Sequence, residues 1–201
     1  MRPARGATIP LFPLRAVLFP GGLLPLKVFE QRYIEMTRAC LRDDLPFGVV
    51  AISAGEEVAT GGRSATFADV GTCARIATVD RSDAGVLHVT AHGLARFRIR
   101  ERRIEANRLY VAEVADIPPE PSLETPPDAA PLVRLLELLA ARVGPRQFPA
   151  EHRYDDATWV GYRLAELLPL PATIKQGLLE INDAGMRLRV VAKFLAQQGI
   201  A

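Results

Sequence analysis

A proline-rich segment at residues 118–131 separates two parts of the sequence that differ in hydrophobic pattern. Six of its fourteen residues are proline, and proline lacks the amide hydrogen that a helix interior or a central strand needs. Before this segment, apolar residues alternate with a period of two, which is typical of strands. After it they recur with a period of 3.6, which is typical of helices. We therefore expect a β-rich part over residues 1–117, a junction over 118–131 and a helical part over 132–201.

The first part predicts seven short strands and one helix. Apolar and β-branched residues form short runs separated by glycine and proline turns. These runs are residues 8–14, 23–28, 47–52, 71–79, 86–92, 95–102 and 109–117. Residues 29–41 are the exception, because four of them recur at helical spacing and predict one buried helix face: Phe29, Tyr33, Met36 and Cys40. Strands this short and numerous favour a barrel or a sandwich.

The second part predicts four amphipathic helices that pack as a bundle. Asp155 and Asp156 precede the second helix and Asp183 precedes the fourth, and an aspartate at this position accepts hydrogen bonds from the amides of the first helical turn. Pro169 ends the second helix, because the residue before a proline is disfavoured in helical conformation. Together the two parts predict an α+β fold.

The composition indicates a soluble, cytoplasmic protein. The formal charge is only +2, from 25 basic and 23 acidic residues, so there is no overall electrostatic case for binding nucleic acid or an anionic membrane. Cys40 and Cys73 are the only cysteines and are far apart, which predicts neither a disulfide framework nor a thiolate metal site. No stretch approaches the roughly 20 apolar residues that span a bilayer.

Motifs of common enzyme classes are missing from the sequence. No Gly-Lys pair occurs, so a phosphate-binding P-loop is excluded, and none of the four serines lies in a G-x-S-x-G or S-x-x-K motif. His88 and His92 are four residues apart, but their alternating neighbours predict a strand, where this spacing separates them by roughly 13 Å. Two histidines so placed cannot bind one zinc ion. We expect no enzyme activity, metal or cofactor.

The most unusual stretch is the apolar, proline-punctuated N-terminal region. It contains Leu11, Phe12, Leu18 and Phe19 among Pro10, Pro13 and Pro20. It is too rich in proline for a fully paired sheet and too apolar for an ordinary solvated loop. One interpretation is that these side chains belong to the core. The other is that some form an apolar groove that accepts unfolded polypeptide, with a strand edge nearby for backbone pairing.

A second unusual feature is an alternating series of arginines in one predicted strand. On an uninterrupted strand these side chains would line one face at intervals of about 6.6 Å: Arg96, Arg98, Arg100 and Arg102. Such a stripe could follow a phosphate backbone. It could equally be the solvated face of an outer strand, where charge prevents aggregation. The second interpretation is favoured, because no aromatic stacking platform accompanies the stripe.

The N-terminal motifs resemble the opening of the N-terminal domain of the ATP-dependent protease Lon. They are Pro10-Leu11-Phe12-Pro13-Leu14, Leu18-Phe19-Pro20-Gly21 and Leu24-Pro25-Leu26-Lys27-Val28-Phe29-Glu30-Gln31-Arg32-Tyr33. Later matches follow in the same order, among them Phe47-Gly48-Val49-Val50, Gly93-Leu94-Ala95-Arg96-Phe97 and Lys175-Gln176-Gly177-Leu178-Leu179-Glu180. The resemblance extends from about Ile9 to Leu195 and is carried by an ordered series of motifs.

This resemblance implies a β-rich, PUA-like pseudobarrel followed by a helical bundle. In Lon such a domain recognises protein substrates and supports hexamer assembly, while separate ATPase and Ser-Lys peptidase domains perform the chemistry. The chain ends where that ATPase would begin, so the resemblance implies a stand-alone, non-catalytic member of the family. A homo-oligomer is compatible with this resemblance.

Two functional hypotheses follow. The first is a module that binds unfolded polypeptide or a partner protein, using the Phe12 and Phe19 region with Glu30, Arg32 and Arg38 as a polar rim. Glu30 and Arg32 could instead form a structural ion pair where a strand meets a helix. The alternative is an RNA-binding module that uses the Arg96 to Arg102 strand face, as the PUA-like architecture suggests. Salt dependence separates the two, because phosphate binding weakens steeply with salt.

Overall fold

A computed structural model describes residues 7–54, 66–82, 85–144 and 148–199. The chain forms two compact units, Met1–Pro118 and Pro119–Ala201. Residues 119–131, which the sequence places in a junction, lie in the second unit.

The first unit contains one helix, α1 (Gln31–Asp43), and the strands β1 (Ala7–Leu14), β2 (Leu23–Val28), β3 (Phe47–Ala54), β4 (Thr66–Phe67), β5 (Val70–Arg81), β6 (Leu87–Ile104) and β7 (Tyr110–Asp116).

Five of these strands close into a ring. Their order is β1-β7-β6-β5-β3, and β1 also pairs with β3 in parallel, so the first and last strands of the series meet. All other neighbours in the ring are antiparallel. Among the described residues, β4 adds to β3 and β2 adds to the first half of β6. The pseudobarrel expected from the family resemblance is confirmed.

Strand β6 is one continuous element where the sequence predicts two. The prediction of a break at Gly93 is wrong, because this glycine permits a close approach of two backbones instead of a turn. A Cβ atom at position 93 would lie 2.2 Å from the carbonyl oxygen of Phe19. The Gly93 amide donates to the carbonyl of Gly22 at 2.9 Å. A glycine inside a strand often marks such an approach.

The core of the first unit contains two clusters of apolar side chains. One joins α1 to the ring through Tyr33, Met36 and Cys40, and the other surrounds Phe97. Cys40 and Cys73 are both buried, and burial raises the pKa of these thiols to about 11 and about 12. Cys40 is therefore a small core residue, as its helical spacing predicts.

The second unit is helical over most of its described residues, and the α+β class is confirmed. Its helices are α2 (Ala130–Val143), α3 (Ala157–Leu167), α4 (Ala172–Glu180) and α5 (Ala184–Gln197). The Asp156 side chain accepts hydrogen bonds from the amides of Thr158 and Trp159, and the Asp183 side chain accepts one from the amide of Met186. No helix in the described ranges is long and apolar enough to cross a membrane.

The proline-rich segment is anchored to these helices by hydrogen bonds. The Thr125 amide donates to the carbonyl of Asp155 at 2.8 Å, and the Ala157 amide donates to the carbonyl of Leu123 at 3.0 Å. The Glu120 carboxylate pairs with the buried guanidinium of Arg187. The segment has neither helix nor regular sheet over residues 118–126 apart from a single bridge between Glu124 and Asp156, so its prolines remove few hydrogen bonds.

Candidate functional site

The first unit contains an apolar cleft of about 280 Å³ beside β2. β1, β2 and the start of α1 supply its walls. Its lining residues are Phe12, Leu14, Ala16, Leu24, Pro25, Leu26, Lys27, Val28, Phe29, Glu30 and Tyr33. Aliphatic and aromatic side chains predominate, with one cation and one carboxylate. Such a lining suits an apolar ligand that carries a few polar groups.

The strand pairing explains why a cleft forms here. β2 and β7 pair with different parts of β6, residues 87–92 and 97–104. β1 pairs with β7 only over residues 7–10 and then pairs with β3 over residues 11–14. Within the described strands, β2 therefore has β6 as its only partner, and its second edge carries no strand. The cleft follows this edge.

The floor of the cleft is a stack of aromatic rings. The rings of Phe12 and Tyr33 are nearly parallel at 14°, with centroids 4.1 Å apart. Phe47 tilts against Phe12 at 6.4 Å, and the Arg32 guanidinium lies 4.6 Å from the centre of the Tyr33 ring. Phe12 is only 5% exposed. Phe12 therefore supports the cleft from below and offers a ligand little surface.

Phe29 is the exposed aromatic residue of the cleft. Its side chain is 57% exposed, although the sequence predicts it on the buried face of the helix. That prediction is wrong, because α1 begins at Gln31 and Glu30 holds the extended N-cap position. The helical spacing that joins Tyr33, Met36 and Cys40 therefore does not extend back to Phe29. An N-cap glutamate gives only a weak sequence signal for this boundary.

Glu30 and Arg32 form an ion pair at the helix start. The Arg32 Nη2 atom lies 2.7 Å from Glu30 Oε2, and Arg32 Nη1 donates to the carbonyl of Arg108 at 2.9 Å. Arg32 is buried, and both of its Nη atoms contact partners within the first unit, as the structural interpretation of this pair expects. Glu30 also lines the cleft. Arg38 is exposed on α1 and lies outside the cleft lining.

The groove expected around the N-terminal apolar residues needs a correction. Leu11, Leu18 and Phe19 are fully buried in the first unit, so they have no surface to offer a peptide. The expectation that proline would keep part of this stretch out of the core fails for a topological reason. β1 pairs with β7 over residues 7–10 and with β3 over residues 11–14, with Pro10 and Pro13 accommodated in its register. Leu18 lies beyond β1 and is held in the unit by its carbonyl, which accepts a hydrogen bond from the Thr72 hydroxyl at 2.6 Å. The cleft lies beside this stretch and uses Phe12 alone of the four residues.

The arginine series does not form one continuous stripe. Arg96 is only 4% exposed. A register shift between Ile99 and Glu101 marks an irregularity in the pairing of β6 with β7, and such a bulge changes which face the following residues occupy. The Arg102 guanidinium lies 4.8 Å from the centre of the buried Phe67 ring. Arg98, Arg100 and Arg102 are exposed, so three of the four arginines of the expected phosphate track remain at the surface.

The two strand histidines lie in β6 as predicted. His88 pairs across the sheet with Lys27 and with Asp80, and His92 pairs with Leu23 and with Arg75. No cluster of three metal-ligating side chains occurs in the ranges described.

Comparisons with known proteins agree over nearly the whole chain. A family model for the substrate-binding domain of the ATP-dependent protease La (LON) matches residues 8–197. Lon protease 2 of Myxococcus xanthus is 31% identical over 194 residues, which are 93% of this chain and 23% of that protein. The chain thus spans about a quarter of the length of this relative.

Solved structures of Lon N-terminal domains are similar to this chain over nearly its whole length. The Lon N-terminal domain protein from Xanthomonas campestris is 35% identical, with a TM-score of 0.76 over 93% of this chain and 98% of that one. The N-terminal domain of the Lon protease from the Mycobacterium avium complex is similar in fold, with a TM-score of 0.63 at 19% identity over 94% of this chain and 98% of that one.

Proposed function

The chain belongs to the family of LON substrate-binding domains, and from this premise we propose that it binds extended segments of unfolded polypeptide without acting on them chemically. The binding site is the cleft beside β2. The observation that carries this proposal is an exposed Phe29 at an apolar cleft that runs along an unpaired strand edge.

The apolar lining supplies the affinity. Burial of apolar surface contributes about 25 cal/mol per Å², and phenylalanine is among the side chains with the most surface to bury. A peptide side chain that covers Phe29 removes water from both partners. Ordering the peptide opposes this gain, so the expected affinity is weak, in the micromolar range. Weak binding suits a module that must hold and release many sequences.

The free edge of β2 supplies backbone pairing. Gly22 and Gly93 are opposite one another and hydrogen-bonded, so the register makes Leu24, Leu26 and Val28 the residues whose backbone groups bond to β6. Leu23, Pro25 and Lys27 then direct their backbone groups to the free edge. Pro25 has no amide hydrogen to direct there, which leaves the amides of Leu23 and Lys27. An extended peptide would pair with these as an added strand.

Replacement of Phe29 by alanine tests the apolar part of this site. Phe29→Ala should weaken binding to fluorescein-labelled, reduced and carboxymethylated lactalbumin about tenfold, because it removes apolar contact area. Its melting temperature should stay within about 1 °C of the parent, because the side chain is exposed. Ile104→Ala is the matched control, since Ile104 is 54% exposed in the same unit and outside the cleft lining. Equal binding by the two variants would reject the cleft as the site.

Replacement of Lys27 tests the backbone part. Lys27→Pro removes the outward amide and leaves the β2–β6 hydrogen bonds in place, because proline is tolerated where the amide faces away from the ladder. Lys27→Ala controls for loss of the side chain. We expect Lys27→Pro to bind the same unfolded protein several-fold more weakly than Lys27→Ala. Identical affinities would exclude strand addition and leave side-chain contact as the mode.

Salt dependence separates this function from nucleic-acid binding. Between 50 and 200 mM salt, binding of an unfolded protein should change little, because apolar burial is not screened. Binding of an RNA oligonucleotide through phosphate contacts would fall steeply over the same range. Tight, salt-sensitive RNA binding that Arg98→Ala and Arg100→Ala abolish would favour the alternative.

A further inference from the structure

The second unit contains a separate cleft of about 450 Å³ at the C-terminal end of α2. Three aromatic rings and one carboxylate line it, together with small residues of α2. The residues that matter are Glu137, Ala140, Ala141, Phe148, His152 and Tyr154. The family description and the function proposed above assign nothing to this cleft.

The aromatic rings form a mutually supporting cluster around Trp159. Phe148 and Tyr154 meet Trp159 edge-on, with centroid distances of 5.7 and 5.3 Å. His152 lies 5.4 Å from both Phe148 and Tyr154. Phe148 and Trp159 are buried, Tyr154 is half-buried and His152 is exposed. The cluster is thus fixed at its base and open to solvent at its rim.

The described residues that line this cleft carry one negative charge. Glu137 is exposed, and it is the one carboxylate among the described residues that line the cleft, where no lysine or arginine occurs. Glu137 and Tyr154 line the same cleft. Burial first and the Glu137 charge second raise the pKa of Tyr154.

We propose that this cleft binds the cationic side chain of a lysine or an arginine carried by a polypeptide. Aromatic rings attract an ammonium or guanidinium group through their quadrupoles, and Glu137 complements the same charge. The small side chains of Ala140 and Ala141 leave room for the aliphatic stem. An anion would be repelled by Glu137, and a neutral apolar group would gain nothing from it. Only the choice of a polypeptide as the source of the cation rests on the proposed function.

The single tryptophan of the chain makes this proposal directly measurable. Trp159 is the only tryptophan, and it contacts rings of the cleft, so its fluorescence should respond to a bound cation. The full chain is titrated with Nα-acetyl-lysine methylamide and Nα-acetyl-arginine methylamide, and with Nα-acetyl-norleucine methylamide as the neutral control of similar shape. We expect saturable fluorescence changes with the two cations and at least fivefold weaker binding of the norleucine derivative.

Two variants test the residues. Glu137→Gln removes an exposed charge and should weaken lysine binding about two- to fivefold, the range of a cation–π or ion contact at an exposed site. Glu101→Gln, an exposed glutamate outside the cleft, should have no effect. Tyr154→Leu keeps an apolar side chain but removes a ring, and should weaken binding similarly. If Tyr154→Leu does not fold, the effect of Glu137→Gln on lysine binding alone tests the site.

The outcomes are separable from those for the cleft beside β2. Phe29→Ala should leave the lysine titration unchanged, although it weakens binding of the unfolded protein. A lysine-containing peptide should bind more tightly than the same peptide with norleucine, and the difference should disappear in Glu137→Gln. Equal binding of the lysine and norleucine derivatives, or no effect of Glu137→Gln, would overturn the cation site. Binding of the free derivatives without any effect of lysine in a peptide would overturn a polypeptide as its source.

Discussion

Glu120 is the partner of a fully buried arginine. Its carboxylate side chain is 1% exposed and pairs with Arg187, which is 0% exposed. The Tyr162 hydroxyl donates to Glu120 Oε1 at 2.7 Å, and the Arg187 Nε atom donates to the carbonyl of Leu178 at 3.0 Å. The guanidinium also lies 4.0 Å from the centre of the Tyr162 ring. This carboxylate therefore neutralises the buried charge of Arg187.

Loss of that carboxylate should destabilise the second unit strongly. Glu120→Ala leaves the Arg187 charge buried without its anion, and we expect a loss of about 3–5 kcal/mol in the free energy of unfolding. Urea unfolding followed by Trp159 fluorescence measures it. Glu124→Ala is the control, because Glu124 is exposed in the same segment. A loss below about 1 kcal/mol for Glu120→Ala would mean that the ion pair contributes no more than a surface pair.

Phe19 and Phe29 should respond to truncation in opposite ways. Phe19→Ala creates a cavity at a fully buried position and should lower the free energy of unfolding by about 3–5 kcal/mol. Phe29→Ala should change it little, because Phe29 is exposed. Thermal unfolding followed by circular dichroism distinguishes the two. A Phe19→Ala variant as stable as the parent would contradict the assignment of Phe19 to the core.

Helix α3 begins at a side-chain cap that carries part of its stability. Asp156 Oδ1 accepts from the amides of Thr158 at 2.9 Å and Trp159 at 3.2 Å. Asp156→Ala should therefore lower the free energy of unfolding by about 1–2 kcal/mol, and Asp156→Asn should retain most of it because asparagine keeps the acceptor. Asp155→Ala is the neighbouring control. In chemical unfolding, Asp156→Ala should lose more stability than either Asp156→Asn or Asp155→Ala. Equal losses for Asp155→Ala and Asp156→Ala would contradict the cap.

The predictability of these elements depends on how local their signals are. The ends of α3 and α5 follow from Asp156, Pro169 and Asp183, which act within one helical turn and are visible in the sequence. The bulge near Arg100 is different, because it depends on the register between β6 and β7, and alternation in β6 alone shows nothing of it. The cleft arises from pairings of β1 and β2 with different neighbours, so its residues could be predicted only in part. The sequence alone could indicate Phe12 and Glu30 as residues of the cleft. The exposure of Phe29 could be predicted only once the first residue of α1 was known.

The stability of the whole molecule should depend on pH through Glu166. Burial raises the pKa of Glu166 to about 7, against the opposing charges of Arg163 and Lys175. The Arg163 Nε atom lies 3.0 Å from Glu166 Oε2, and Lys175 donates to the Glu166 carbonyl at 2.8 Å. The folded protein thus holds a proton more tightly than the unfolded chain, in which the pKa is near 4.5. This contribution to stability is complete below pH 4.5 and is lost as the pH rises through about 7.

Glu166→Gln should remove this dependence, because glutamine does not titrate. The difference in melting temperature, parent minus variant, should decrease between pH 5 and pH 8, by an amount that corresponds to on the order of 2–3 kcal/mol. Taking the difference cancels the titration of the other groups. Differential scanning calorimetry at several pH values measures it. A difference that increases with pH would mean that Arg163 lowers the pKa of Glu166 below that of the unfolded chain.

The closure of the strand ring has a consequence for the order in which the chain can fold. β1 completes its hydrogen bonding only with β7, where Ala7 pairs with Val114 at the far end of the unit. During synthesis residues 7–10 of β1 therefore stay unpaired until nearly the entire unit has left the ribosome. The apolar side chain of Ile9, which belongs to the same core cluster as Val114, is uncovered in the meantime. Contacts between residues so distant in sequence slow folding. The N-terminal unit should accordingly be the slow-folding part of the molecule, and a nascent chain that stops short of β7 should be a client for chaperones.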